Sequence, residues 1–221
     1  HELRTPMNGI MGMTDLALLS DPNEEVREYL QVARNSADLL LAILNDILDL
    51  SKIEAGKLTI EHIPFNLAEV IQTVSQLLQP GMADKQLDYD SRLDPALPPL
   101  VIGDPLRIRQ VLLNLLGNAL KFTRQGSIHL ALDILQQDEA GLKLKISIRD
   151  TGIGIPANRL EAIFQAFSQA DNSTTRNFGG TGLGLTISTQ LVELMGGQLS
   201  VESQLGEGST FSFTLQVGRA S

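Results

Sequence analysis

The sequence predicts an α+β chain: a helical hairpin that forms a four-helix bundle on dimerisation, followed by an α/β sandwich. Two observations carry this. Up to about residue 55, apolar side chains recur at steps of three and four, the spacing of one helix face. Beyond Gly56, period-two runs alternate with further helical stretches.

Leu3, Met7, Ile10, Thr14 and Leu18 mark the first helix of the hairpin. Ser20-Asp21-Pro22-Asn23-Glu24 then stops one helix and starts another. Asp21 reads as the N-cap, Pro22 as the first helical residue and Glu24 as the partner in a capping box. The second helix runs from about Glu24 to Ala55, with Tyr29, Val32, Ala33, Ala37, Leu40, Leu44, Ile47, Leu48 and Leu50 as its stripe. A helix of roughly thirty residues is long for a small globule and suits a bundle. One hairpin leaves two such stripes uncovered, so a homodimer through the hairpin is expected. The start at His1, with no cap before it, reads as a fragment whose first helix has lost its upstream half.

Gly56 and then Glu61-His62-Ile63-Pro64 break the helical pattern and set the domain boundary, giving a hairpin domain over 1–62 and a second domain over 63–221. In the second domain, Leu67 to Leu78 reads as helix and Leu87 to Leu93 as strand. Pro105 to Phe122 is a helix with proline at its start. Ile128 to Leu135, Leu142 to Ile148 and Phe211 to Val217 alternate as antiparallel strands. Gly184 to Met195 is a helix closed by Gly196-Gly197.

Composition narrows the function. The formal net charge of −9 excludes general nucleic-acid binding, which needs a basic face, but not a nucleotide held by a few local cations. The absence of cysteine excludes disulfides and thiolate metal sites and fits a reducing compartment. No apolar run approaches the roughly 18–20 residues that span a bilayer. The expected location is cytoplasmic, as the cytoplasmic part of a membrane-anchored sensor, with no membrane contact by this stretch.

Four motifs carry chemistry. In His1-Glu2-Leu3-Arg4-Thr5-Pro6, a neutral imidazole offers a lone pair to phosphorus, and the adjacent Glu2 carboxylate can take the other ring proton. Asn114, Asn118 and Lys121 lie on one face of an otherwise apolar helix. Amide oxygens suit Mg²⁺, and a lysine meets phosphate as a point charge. In Asp150-Thr151-Gly152-Ile153-Gly154, a carboxylate leaving a buried strand can accept the exocyclic amino hydrogen of adenine, and Gly152 and Gly154 permit close approach of backbone. The run Gly179-Gly180-Thr181-Gly182-Leu183-Gly184 opens a helix, and its successive amides suit an anion. It meets neither the dinucleotide fingerprint nor the Walker loop, since no Gly-Lys-Ser/Thr follows. The polar stretch from Ser168 to Phe178 reads as a lid, with Arg176 its only cation, placed to reach a terminal phosphate. Each motif also has a plainer reading: a terminal histidine, a solvated polar face, a strand-ending turn, a flexible connector.

In this order the four motifs resemble the H, N, G1 and G2 boxes of sensor histidine kinases. Phe164 and Phe167 look like an F box, and Gly206-Glu207-Gly208-Ser209 like the last glycine box. Ser51-Lys52-Ile53-Glu54-Ala55-Gly56-Lys57 and Phe167-Ser168-Gln169-Ala170-Asp171 resemble the hybrid subgroup, whose members carry a receiver domain downstream. The resemblance implies a dimerisation and phosphotransfer hairpin followed by a Bergerat-type ATP-binding domain. It implies ATP and Mg²⁺, with His1 as phosphoacceptor, Glu2 as base, Asn118 as metal ligand and Asp150 as adenine reader. Thr5 matches a position used in dephosphorylating the partner. Gly180, Thr181, Gly182, Leu183 and Gly184 fall in the phosphate-binding box. The implied partner is a response-regulator receiver domain. A competing reading has the hairpin pair with another histidine kinase and modulate it with little activity of its own.

Overall fold

The computed structural model describes residues 4–139, 141–165 and 182–220. The chain divides into two compact units, His1–Leu58 and Thr59–Ser221, each taken in turn below.

The first unit is an antiparallel pair, α1 (Arg4–Leu19) and α2 (Glu24–Glu54). Met7, Thr14 and Ala37 are buried between them, and the Thr14 hydroxyl donates back to the Ile10 carbonyl at 2.7 Å. Arg34 on α2 pairs with Asp15 on α1 and, at 3.2 Å, with Asp38 on its own helix, which holds the guanidinium above its ordinary pKa. Much of the expected stripe stays bare. Of that stripe, Ile10, Tyr29, Val32, Leu40, Ile47 and Leu48 are exposed in the single chain, and so are Met13 and Leu16 beside it. An apolar surface of this extent needs a partner.

The expected cap of α2 is corrected. Asn23, not Asp21, is the N-cap: its side chain accepts the Val26 amide at 2.9 Å. Glu24 and Glu25 occupy the first turn, where they face the positive helix end and close no capping box. Asp21 adopts a left-handed φ of 54° two residues earlier and pairs with Arg27 at 3.0 Å on the surface.

The second unit is a sheet of seven strands among the described residues, with one face covered by helices. Its elements are β1 (Ile63–Phe65), α3 (Leu67–Asp84), β2 (Asp88–Leu93), β3 (Val101–Gly103), α4 (Pro105–Phe122), β4 (Ser127–Gln137), β5 (Leu142–Asp150), α5 (Gly184–Leu194), β6 (Leu199–Gln204) and β7 (Gly208–Arg219). The strand order is β1-β3-β7-β5-β4-β2, with β6 also paired to β7. Alternation decides which face is inside. Ile128, Leu130, Leu132, Leu144, Ile146, Ile148, Phe211, Phe213 and Leu215 are buried beneath the helices, while Lys143, Lys145 and Arg149 point away. From above, Ile71 and Val74 of α3, Ile108, Leu112 and Leu116 of α4, and Ile187 and Leu191 of α5 complete the core.

Two expectations change here. β2 pairs with β4 in parallel, so the sheet is mixed rather than wholly antiparallel. α3 continues past Leu78 and through Pro80 to Asp84, because Met82 is buried in the core and its packing outweighs the lost donor. Short strands β1, β3 and β6 were not marked by any alternating run.

Asn23→Ala should lower the stability of the helical hairpin by about 1 kcal/mol. Asp21→Gly should cost less, because glycine accepts the left-handed φ and the lost surface pair contributes little. Urea unfolding followed at 222 nm compares the two, and the larger loss in Asp21→Gly would restore Asp21 as the cap.

Candidate active site

Three of the four motifs have described residues at one end of the second unit's core. α4 is started by Asp104, whose buried carboxylate accepts the Arg107 amide at 3.0 Å and the Glu61 amide at 3.0 Å. Its far end carries Asn114, Asn118 and Lys121. Asn114 donates through Nδ2 to Ser188 Oγ of α5 at 2.8 Å, and its Oδ1 faces Gly184. A Cβ at Gly184 would overlap that amide oxygen, so only glycine lets α5 begin this close to α4. Asn114 therefore fixes α5 against α4. Asn118, one turn on, is half-buried and shows no such tie among the described residues.

Lys121 is half-buried, and this desolvation pushes its ammonium below its ordinary pKa. The charge lies 5.0 Å from the centre of the Phe122 ring. An anion placed beside it would offset the cost of that desolvation.

Asp150 is the last residue of β5 and is only 6% exposed. Burial raises its pKa above the ordinary carboxylate value, while amide donors from Gly152 and Ser209 and the neighbouring Thr123 hydroxyl pull the other way. The Gly152 amide donates to Oδ1 at 2.8 Å. A Cβ on Gly152 would stand 2.6 Å from the Phe122 carbonyl oxygen and 2.7 Å from Asp150 Oδ1, so a side chain is excluded. Gly154 has a φ of +68° and packs on the Gln204 carbonyl. Thr123 is wholly buried next to Asp150, and its hydroxyl has no hydrogen bond of good geometry among the described residues. A buried acceptor with a raised pKa and an unsatisfied buried hydroxyl fit a planar polar ring that supplies both donor and acceptor.

Gly182 has a φ of +69°, Leu183 is the buried residue before α5, and Gly184 is the first residue of α5. Thr5 lies exposed on α1. His1, Glu2, Arg176, Gly180 and Thr181, with the expected lid and Phe167, lie outside the described residues. Phe164 ends a short 3₁₀ turn, and its carbonyl accepts the Thr186 hydroxyl at 3.0 Å, which ties the F box to α5. Sequence reasoning missed Thr123 and Ser188, both of which act through contacts between distant segments.

A cavity of about 450 Å³ opens at the other end of α4 and β5, lined by Ile60, His62, Asp104, Ile108, Lys143 and Met195 among others. It contains none of the candidate site residues expected from the sequence.

Comparison with known families decides the assignment. Residues 103–219 match the histidine kinase-, DNA gyrase B- and HSP90-like ATPase family, and residues 1–56 match the His Kinase A (phospho-acceptor) domain. The chain belongs to the histidine kinases. The sensor protein GacS of Pseudomonas syringae pv. syringae is 49% identical over 220 residues, which cover 100% of this chain and 24% of GacS. Hybrid signal transduction histidine kinase A of Dictyostelium discoideum is 47% identical over 220 residues, covering 96% of this chain and 10% of that protein. The crystal structure of full-length ShkA in complex with AMPPNP superposes with a TM-score of 0.83 at 32% identity, over 100% of this chain and 45% of ShkA. This histidine kinase core thus spans less than a quarter of the length of these curated relatives.

Asp150→Asn should weaken ATP binding by about tenfold to a hundredfold, the worth of a charge-assisted hydrogen bond to the adenine amino group. Without nucleotide the effect on stability has its own sign. The folded chain holds the Asp150 proton more tightly than the unfolded chain, so its ionisation weakens folding as pH rises above about 4. Relative to wild type, the variant should therefore gain stability between acidic and neutral pH. Calorimetric titration with ATP and melting curves across pH check both; an unchanged affinity removes Asp150 from adenine recognition.

Proposed function

We propose that this chain is an ATP-dependent protein-histidine kinase core of the hybrid type, which phosphorylates His1 and passes the group to an aspartate of a response-regulator receiver domain. The observation that supports it most is the joint placement of Asn118, Lys121 and Asp150 around one end of α4 and β5, in a chain whose first 56 residues match a phospho-acceptor domain.

Asp150 accepts a hydrogen bond from the adenine amino group, with Thr123 beside it. Lys121 meets the phosphates as a point charge. The described residues contain no cluster of three or more His, Cys, Asp or Glu for a metal. Mg²⁺ would therefore rely on the Asn118 amide oxygen together with phosphate oxygens, an oxygen set that fits this ion. The ion supplies neutralisation of the charge that builds on the phosphates. Arg176 and the amides of Gly180, Thr181 and Gly182 are assigned to the terminal phosphate.

In the transfer itself, an imidazole nitrogen of His1 forms the N–P bond as the bond from the γ-phosphorus to the bridging oxygen breaks and ADP leaves. Glu2 accepts the proton from the other ring nitrogen. Positioning and charge neutralisation carry most of such a reaction. Thr5, exposed in the first turn of α1, is assigned to hydrolysis of the partner's phosphoryl group. The bare stripes of α1 and α2 are assigned to a second copy of this chain. The alternative of a low-activity module paired with another histidine kinase is disfavoured by the matches to both kinase families and by a sequence that retains Asn118, Asp150 and Gly152.

With γ-labelled ATP, the intact protein should take up label that survives alkali and is lost in acid, as a phosphoramidate does. His1→Gln should abolish the label while leaving ADP affinity within about twofold, since His1 is assigned to attack on the γ-phosphorus, which ADP lacks. Label retained in His1→Gln would move the acceptor elsewhere.

A further inference from the structure

We propose that Lys85 is a positioning residue for the nucleotide site, acting through the carboxyl end of α4. The proposal rests on the assignment of that end of α4 to the nucleotide. Lys85 is the residue that ends α3, and it is followed by Gln86 at a left-handed φ of 55° and by the Leu87 amide bonding back to the Met82 carbonyl at 2.9 Å. This turn reverses the chain and aims the half-buried Lys85 side chain across to α4. Its ammonium donates to the carbonyls of Leu120 at 2.5 Å, Thr123 at 3.1 Å and Lys121 at 3.4 Å. An ammonium has three donors, and all three are taken.

The last carbonyls of a helix lack intrahelical partners, and this end carries the negative pole of the dipole. Ala119 is capped by the Thr123 amide at 3.0 Å and Phe122 by the Ile153 amide at 3.3 Å, and Lys85 serves Leu120, Lys121 and Thr123. The clamped segment is the one whose side chains border the nucleotide: Lys121 toward phosphate and Thr123 beside Asp150. Tight packing supports the clamp, since a Cβ at Gly81 would come within 2.9 Å of Leu120 Cδ2. Without the cation, residues 120–123 would turn toward water to solvate their carbonyls, and both side chains would leave their positions. Lys85 touches neither substrate nor metal in this account.

The chain has no cysteine, so Lys85→Cys introduces a single thiol. Alkylated in denaturant with 2-bromoethylamine and refolded, it regains an ammonium at nearly the same reach. Alkylated with iodoacetamide, it gains a neutral amide instead. ADP with Mg²⁺ is titrated calorimetrically into both forms and the unmodified chain, well below their melting temperatures. The neutral form should bind ADP about tenfold more weakly, and the aminoethylated form within about threefold of wild type. Equal affinity in the two alkylated forms, when both show the native circular dichroism spectrum, overturns the proposal even if the neutral form melts lower. If only the aminoethylated form refolds, Lys85→Arg in the full chain serves as the comparison: KM for ATP should rise with kcat within about twofold, and a lowered kcat at unchanged KM overturns it. Failure of wild-type chain to bind ADP would sink the functional assignment and this proposal together.

Discussion

The end of the protein proposed to bind nucleotide depends on how the carboxyl end of α4 is closed. A helix that stops inside a domain leaves carbonyls that must find donors or water. Here each finds a protein donor: the Thr123 amide, the Lys85 ammonium and the Ile153 amide. The last of these joins the Asn118–Lys121 helix to the Asp150–Gly154 loop, so two motifs about thirty residues apart in sequence become one wall. Gly152 makes the junction physically accessible, since any side chain there would strike the Phe122 carbonyl.

On that wall, Asp150 and Lys121 share one condition. Both are charged groups taken partly out of water, and burial moves the pKa of each toward its neutral form. In the nucleotide-free fold this is a cost, borne by the strong apolar core of Ile108, Leu112, Leu116 and Ile148 beneath. A ligand with an amino donor at one end and anions at the other relieves both, and this is what adenosine triphosphate offers. Strain at a site relieved by its ligand is a common form of preorganisation.

Much of this was legible beforehand, for a stated reason. Helix α4 was read to its terminal residues because Pro105 opens it and the apolar spacing runs unbroken to Phe122. β5 and β7 were legible because one face is buried and the other wet, which imposes alternation. What was hidden depended on contacts between distant segments. Lys85 lies 35 residues before Leu120, beyond the helix end expected at Leu78, and nothing in the sequence marks it. Thr123 reads as the first residue of a loop. Asn114 looked equivalent to Asn118, yet its partner Ser188 is 74 residues away and gives it a packing role. The α2 cap went astray because Asp21 and Asn23 are both good capping residues, and the choice follows from which of them takes the left-handed φ.

The claim underlying all of this is that the wall is assembled before nucleotide arrives. Amide hydrogen exchange in the nucleotide-free protein tests it most directly, at Thr123, Gly152 and Ile153. Their amides donate to the Ala119 carbonyl, Asp150 Oδ1 and the Phe122 carbonyl. The account predicts protection at these three amides close to that of the buried strands β4 and β5, opening only with the domain as a whole. Exchange as fast as that of an open loop, with protection gained only on adding ADP, would show instead that the ligand builds the wall.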